Sequence, residues 1–347
     1  MKALIKKTRG FGNVELMDIK EPKCTSMEIK ISVKSVGVCG TDLHIHAGNF
    51  PYYNPPVILG HEFSGEIADI GKDVQNTREL KIGDRVVVLP STAITCGTCE
   101  YCKSGNFIFC PSRRGMGHGV NGAMTEFVCV REDMVYRLPE NISFEGGALI
   151  EPLSCCIQSV DDFVNILPTD ICLVSGSGTI GLMITALLKL RNCTVVLAGI
   201  SNDEKRFRIG QKLGADLIVN VDKKDIGKSL LDKFGARTFD KCFECSGVDM
   251  SLNNCINNLR KMGSLVQVGL SGKKSSVDVD SIVTKQLAIF GSLGFTLRSW
   301  DKSLQLLKES KIVESFFITH RYKLANWETA FNQHKERDSI KVMIEPT

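Results

Sequence analysis

Residues 171–190 read ICLVSGSGTIGLMITALLKL: an apolar strand-like run, three spaced glycines, then a helical stretch. The pattern is Gly176-x-Gly178-x-x-Gly181. After a strand and at the start of a helix, it brings backbone N–H groups close to a pyrophosphate at the helix N-terminus. A glycine-rich turn that binds nothing is the bland alternative. From about Asp170 onward, strand-like segments (TVVLAGI, DLIVNV, DKCFEC, GSLVQVGL) alternate with helical ones (NDEKRFRIGQKLGA, KDIGKSLLDKF, SLNNCINNLRKM). That alternation predicts a doubly wound parallel sheet with helices on both faces, an α/β Rossmann domain. The second strand should end in an acidic residue if it is to hold a ribose 2′-hydroxyl. Here the tip reads Gly199-Ile200-Ser201, with Asp203 and then Arg206 downstream. A small tip with an arginine beyond it leaves room for a 2′-phosphate, so the reading leans to NADP(H). Asp203 reaching the ribose through a longer loop is the alternative.

The first 150 residues have a different texture. Apolar or alternating runs (EIKISVKSVGV, GEIADIG, DRVVVLP, EFVCVRE, VYRLP) are separated by Gly, Pro and Asn turns and predict a β-rich domain. A helix and a terminal strand in the tail, ITHRYKLANWETAFNQHKERDSIKVMIEP, are expected to rejoin it. At 347 residues the chain has room for two cores. Its formal charge of +4, without a basic block or stripe, gives nucleic-acid or anionic-membrane binding little support. No secretory leader or bilayer-length apolar run is evident, so a cytoplasmic protein is expected.

Four cysteines, Cys96-x2-Cys99-x2-Cys102-x7-Cys110, are spaced to wrap one tetrahedral ion, with Gly97 and Gly105 allowing the backbone to turn. Four thiolates leave no position open, which makes a structural zinc site. Four unrelated buried cysteines, or an iron–sulfur cluster, are the competing readings. With no export signal evident, the other ten cysteines are expected to be reduced, and most of them, sitting in apolar company, to be small buried hydrophobes. Upstream, CGTDLHIH and LGHEFSGEI offer Cys39, His44, His46, His61 and Glu62, and ALIEPLS offers Glu151 where the two domains are expected to meet. Singly each is weak, because a lone histidine usually sits hydrogen-bonded in a wall. Together Cys39, His61 and a carboxylate supply the three ligands a catalytic zinc needs, with one position exchangeable.

These segments, with GSGTIG and the ending SIKVMIEP, come in the order found in zinc-dependent medium-chain dehydrogenases, which the chain resembles over essentially its whole length. Within that family it is most similar to the polyol and sugar branch of sorbitol, galactitol-1-phosphate and threonine dehydrogenases. The resemblance implies a GroES-like catalytic domain (residues 1–153 and 291–347) carrying both zincs, and a Rossmann domain (154–290). It makes Cys39, His61 and Glu62 catalytic-zinc ligands, with Glu151 binding the metal directly or through water. Cys96, Cys99, Cys102 and Cys110 match the structural-zinc lobe, giving two Zn²⁺ per chain. Thr41 and His44 match the proton relay. Gly176, Gly178, Thr179, Ile180, Gly181, Ser201, Arg206 and the Val268-Gly269-Leu270 turn match the NAD(P) contacts. The implied reaction oxidises a secondary hydroxyl of a polyol, sugar or sugar phosphate to a ketone, in a homodimer or homotetramer. The alternatives are a threonine or secondary-alcohol dehydrogenase of the same family, or a non-catalytic NAD(P)H sensor. One departure counts against sorbitol itself: the Arg-Tyr pair that lines the substrate site of sorbitol dehydrogenases falls on Gly294 and Phe295, leaving Arg298 as a nearby substitute.

Overall fold

The structure, a computed structural model, describes residues 1–346. It divides into two compact units: Met1–Pro152 with Thr296–Thr347, and Leu153–Phe295. Residue 347, the last of the expected catalytic domain, lies outside the described residues.

The second unit is built on six parallel strands in the order Leu217–Asn220, Thr194–Gly199, Ile171–Ser175, Phe239–Glu244, Leu259–Gln267, Ala288–Gly291. Counted along the chain this is 3-2-1-4-5-6, so the order reverses at the strand that carries the glycine turn. Such a reversal opens a crevice at the carboxyl ends of the strands. Leu173, Val196, Ala198, Cys242 and Leu265 are at most 1 % exposed and form the centre of its core. One boundary differs from the sequence reading. The helix expected to run through Met262 ends at Asn258, and Leu259 opens a strand. Leu259 is fully buried and pairs with Phe239, and that pairing outweighs the helical preference of Leu-Arg-Lys-Met.

The first unit holds the other sheets. The larger runs Ile318–Lys323, Lys341–Glu345, Glu28–Gly37, Glu62–Ile70, Arg85–Val88, Val135–Arg137, and Phe127–Arg131 also pairs with Glu28–Gly37. The C-terminal strand does rejoin this sheet: Met343 faces Gly37 and Ile344 faces Val36 across an antiparallel pair. A small sheet of Val14–Asp18, Lys2–Lys6 and Val57–Ile58 completes the unit. The expectation of fully reduced cysteines fails at one place, where Cys24 and Cys129 form a disulfide. Cys129 sits opposite Lys30 in the sheet, and the loop before Glu28 brings Cys24 to a Cα–Cα distance of 5.4 Å, within the range a disulfide spans. A separation of 105 residues hides that approach from any local spacing rule.

Candidate active site

The strand Glu28–Gly37 ends two residues before Cys39, which caps the helix Gly40–His46. The Asp42 carboxylate accepts the Cys39 N–H at 2.9 Å and the Gly60 N–H at 3.3 Å. One buried side chain thus pins the two backbone segments that carry Cys39 and His61. Gly60, at φ +91°, makes the turn into His61 and Glu62, and Glu62 opens the strand Glu62–Ile70. The ligand atoms of Cys39, His61 and Glu62 lie within 4.8 Å of one another. His61 and Glu62 are 8 % and 1 % exposed.

Burial alone would lower the His61 pKa, but the neighbouring Cys39, Asp42 and Glu151 overcome it and hold the imidazole well above its ordinary range. Asp42 Oδ1 stands 3.9 Å from His61 Nδ1, which has no hydrogen-bond partner among the described residues. A thiol, an imidazole and a carboxylate converging in a buried pocket, with the histidine backed by an aspartate, are the donor set of a catalytic zinc site. Lys341 underlies Glu62, with its Nζ 2.9 and 2.7 Å from the two carboxylate oxygens.

Glu151 lies in the first turn of the helix Ile150–Asp161. Burial pushes its carboxyl up to about 7, against the opposing pull of His61. Its oxygens are outside the 4.8 Å set. Thr41 and His44 lie three residues apart on the helix behind Cys39, both half-buried. His46 does not join the cluster. Its ring packs 5.4 Å from Phe11 and 6.2 Å from Trp327 and Phe331, as a wall residue. The sequence reading passed over Asp42, Lys341 and His118. His118 is 9 % exposed, with its ring 6.5 Å from His61 and 5.6 Å from Phe50.

The sulfurs of Cys96, Cys99, Cys102 and Cys110 also lie within 4.8 Å of one another. Gly97 and Gly105 have φ of +70° and +78°, so the loop curls as the spacing requires. The Cys96, Cys99 and Cys102 N–H groups donate to Cys110, Cys96 and Cys99 sulfurs at 3.3 to 3.4 Å. The Thr98 backbone N–H pulls the Cys96 thiol down to about 6, while desolvation and then the Cys99 thiol push Cys102 up to about 11. Crowded thiols that cannot all ionise unaided fit a divalent cation among them.

In the second unit, Ser175 ends its strand, Gly176 turns at φ +111°, and Gly178 caps the helix Thr179–Lys189, which begins with Thr179 and Ile180. A Cβ on Gly181 would meet Gly176 O at 1.8 Å, whereas one on Gly178 would meet nothing within 4 Å. Gly181 is therefore required by packing, and the open space at Gly178 suits close approach of a ligand. Arg206 is 7 % exposed and pairs with Asp203 at 3.3 Å, under the tip of Thr194–Gly199. Ser201 donates its backbone N–H to Asp222 at 2.7 Å. Gly269 and Leu270 line an open cavity of about 600 Å³ with Gly247, Val248 and Gln267, and Val268 N–H donates to Glu244 O.

Residues 25–140 match the alcohol dehydrogenase GroES-like domain, and residues 179–309 match the zinc-binding dehydrogenase domain. The D-arabitol-phosphate dehydrogenase of Enterococcus avium is 34 % identical over 346 residues, 99 % of this chain and 97 % of that one. The sorbitol dehydrogenase of Halalkalibacterium halodurans is 34 % identical over 350 residues, 100 % and 99 % of the two chains. A Sinorhizobium meliloti 1021 structure, described as a zinc-binding dehydrogenase bound to NADP, superposes with a TM-score of 0.90 at 26 % identity, over 99 % of each chain. The chain belongs to the zinc-dependent medium-chain alcohol dehydrogenase family. It is an NAD(P)-dependent oxidoreductase with the GroES-like and Rossmann folds of that family.

Proposed function

We propose that this dehydrogenase oxidises a secondary hydroxyl of a polyol, sugar or sugar phosphate to a ketone while reducing NAD(P)⁺. The observation that carries this reading is the buried convergence of Cys39, His61 and Glu62, in a chain one-third identical to enzymes named for arabitol phosphate and sorbitol. Cys39 and His61, with Glu62 and with Glu151 close by, hold the catalytic zinc in this proposal, and the four-cysteine lobe holds the structural one. Bound there, zinc supplies Lewis-acid polarisation of the substrate oxygen. Thr41 and His44 take the hydroxyl proton toward solvent along one face of their helix. The glycine turn Gly176–Gly181 with Thr179 and Ile180, together with Ser201, Arg206 and Val268–Leu270, binds and orients the dinucleotide. Orientation of the two reactants fixes the transfer distance.

The lean to NADP rests on the small tip Gly199-Ile200-Ser201 with Arg206 beyond it. Gly294 stands where sorbitol dehydrogenases are expected to carry a substrate-site arginine, which favours a substrate other than sorbitol. A cytoplasmic homodimer or homotetramer belongs to the same reading. Supporting self-association, the edge strand Ala288–Gly291 leaves Ile289 41 % exposed, and Leu293 beyond it 52 %. Among the described residues no helix is long and apolar enough to cross a membrane.

The test is initial-rate reduction of NAD⁺ and NADP⁺ over a panel of polyols, polyol phosphates and L-threonine. The expected result is turnover on one polyol or its phosphate, lost by about 1000-fold in His61→Ala because several kcal/mol of Lewis-acid stabilisation goes with the ligand. Turnover confined to threonine, or retained by His61→Ala, would reject the proposal.

A further inference from the structure

We propose that Lys341 is a positioning residue for the metal site: by holding both oxygens of Glu62, it limits how far that carboxylate commits to the ion bound by Cys39 and His61. This rests on the zinc reading above.

Lys341 opens the C-terminal strand, which runs antiparallel to Glu28–Gly37. The Val38 N–H donates to Val342 O at 2.9 Å, so the lysine lies beside the Val38–Cys39 step. Its ammonium donates to Glu62 Oε2 at 2.7 Å, to Glu62 Oε1 at 2.9 Å and to Val38 O at 3.1 Å. All three of its protons are thereby used. The two side chains are 3 % and 1 % exposed. Within 4.8 Å of a carboxylate oxygen of the same Glu62 lie the Cys39 sulfur and a ring nitrogen of His61. The backbone makes room for the arrangement, since a Cβ on Gly37 would come within 2.2 Å of Glu62 Oε2.

Stability alone is a poor explanation for this pair. Replacing a buried ion pair by apolar side chains is often neutral or stabilising, because both charges must be desolvated. Its place beside the donor set gives it another use. A carboxylate has about four lone-pair sites, and Lys341 occupies one on each oxygen. The charge left for a cation is smaller than that of a free carboxylate. A catalytic zinc site must keep one position exchangeable. An unrestrained Glu62, able to bind through both oxygens, would close that position.

The consequence differs in sign from that of a structural lysine. In Lys341→Met the freed carboxylate should grip the ion more firmly. Zinc release to a chelator from the Cys39–His61 site should slow by about 10-fold, the size typical of changes behind a metal ligand. The turnover number should fall by about 10-fold with KM changing less, and the absorption spectrum of the cobalt-substituted protein should shift. Glu62→Gln should release zinc faster, and the double variant should follow Glu62→Gln, because the gain needs the carboxylate. Faster or unchanged zinc release in Lys341→Met, or a double variant that behaves like Lys341→Met, would overturn the proposal while leaving the zinc reading intact. A wild-type protein holding only one zinc per chain would remove the reading and this proposal with it. Should Lys341→Met fail to fold, Lys341→Gln, which retains an N–H donor without the charge, is judged by the same release rates.

Discussion

His118 shows how a single side chain ties the site to the stability of the molecule. Burial pushes its imidazole down to about 3, against an ordinary value near 6.5. Between those two values the unfolded chain binds the proton and the folded chain does not, so stability falls as pH drops through that window. At pH 4 the loss is on the order of a few kcal/mol. Thermal unfolding of the zinc-loaded protein at pH 7 and pH 4.5 tests this. Wild type should lose more on acidification than His118→Phe, and equal losses would show that His118 is not held neutral. Cys39, His61 and Glu62 were legible in the sequence because their motifs are local. Asp42 carried a readable signal too, standing three residues after the capping Cys39 as a capping-box acid does. Lys341 carried none. A lysine in an apolar strand, KVMIE, reads as surface until the pairing of the C-terminal strand with Glu28–Gly37 brings it to Glu62.

At the scale of elements, the glycine turn separates packing from binding. Gly181→Ala forces a Cβ to 1.8 Å from the Gly176 carbonyl and should destabilise the second unit. Gly178→Ala meets no protein atom within 4 Å. It should leave the unfolding temperature within about 2 °C of wild type, a shift corresponding to about 0.5 to 1 kcal/mol, while weakening cofactor binding by about 10-fold or more. Titration of each variant with NAD(P)H fluorescence checks the pair. Unchanged affinity in Gly178→Ala would mean that the turn does not carry the pyrophosphate. Most strands were legible where one texture ran for five or more residues. The strand Leu259–Gln267 was misjudged at its start because Leu-Arg-Lys-Met has helical composition, and only its pairing with Phe239 makes it extended. Val57–Ile58, which pairs with Ile5 and Lys6, and the Cys24–Cys129 bond were likewise fixed by partners distant in sequence.

At the scale of the whole chain, the change of texture near Asp170 announced two units, and the helix and terminal strand read in the tail announced the return of the C-terminal segment to the first. The central claim is that this first unit holds two zinc ions in chemically different places: one among four thiols, the other with Cys39, His61 and a carboxylate. Zinc per chain, measured on wild type and on Cys39→Ser after gel filtration into metal-free buffer, tests it most directly. The account predicts close to two for wild type and close to one for the folded variant. One zinc in wild type, or two retained in Cys39→Ser, would contradict it.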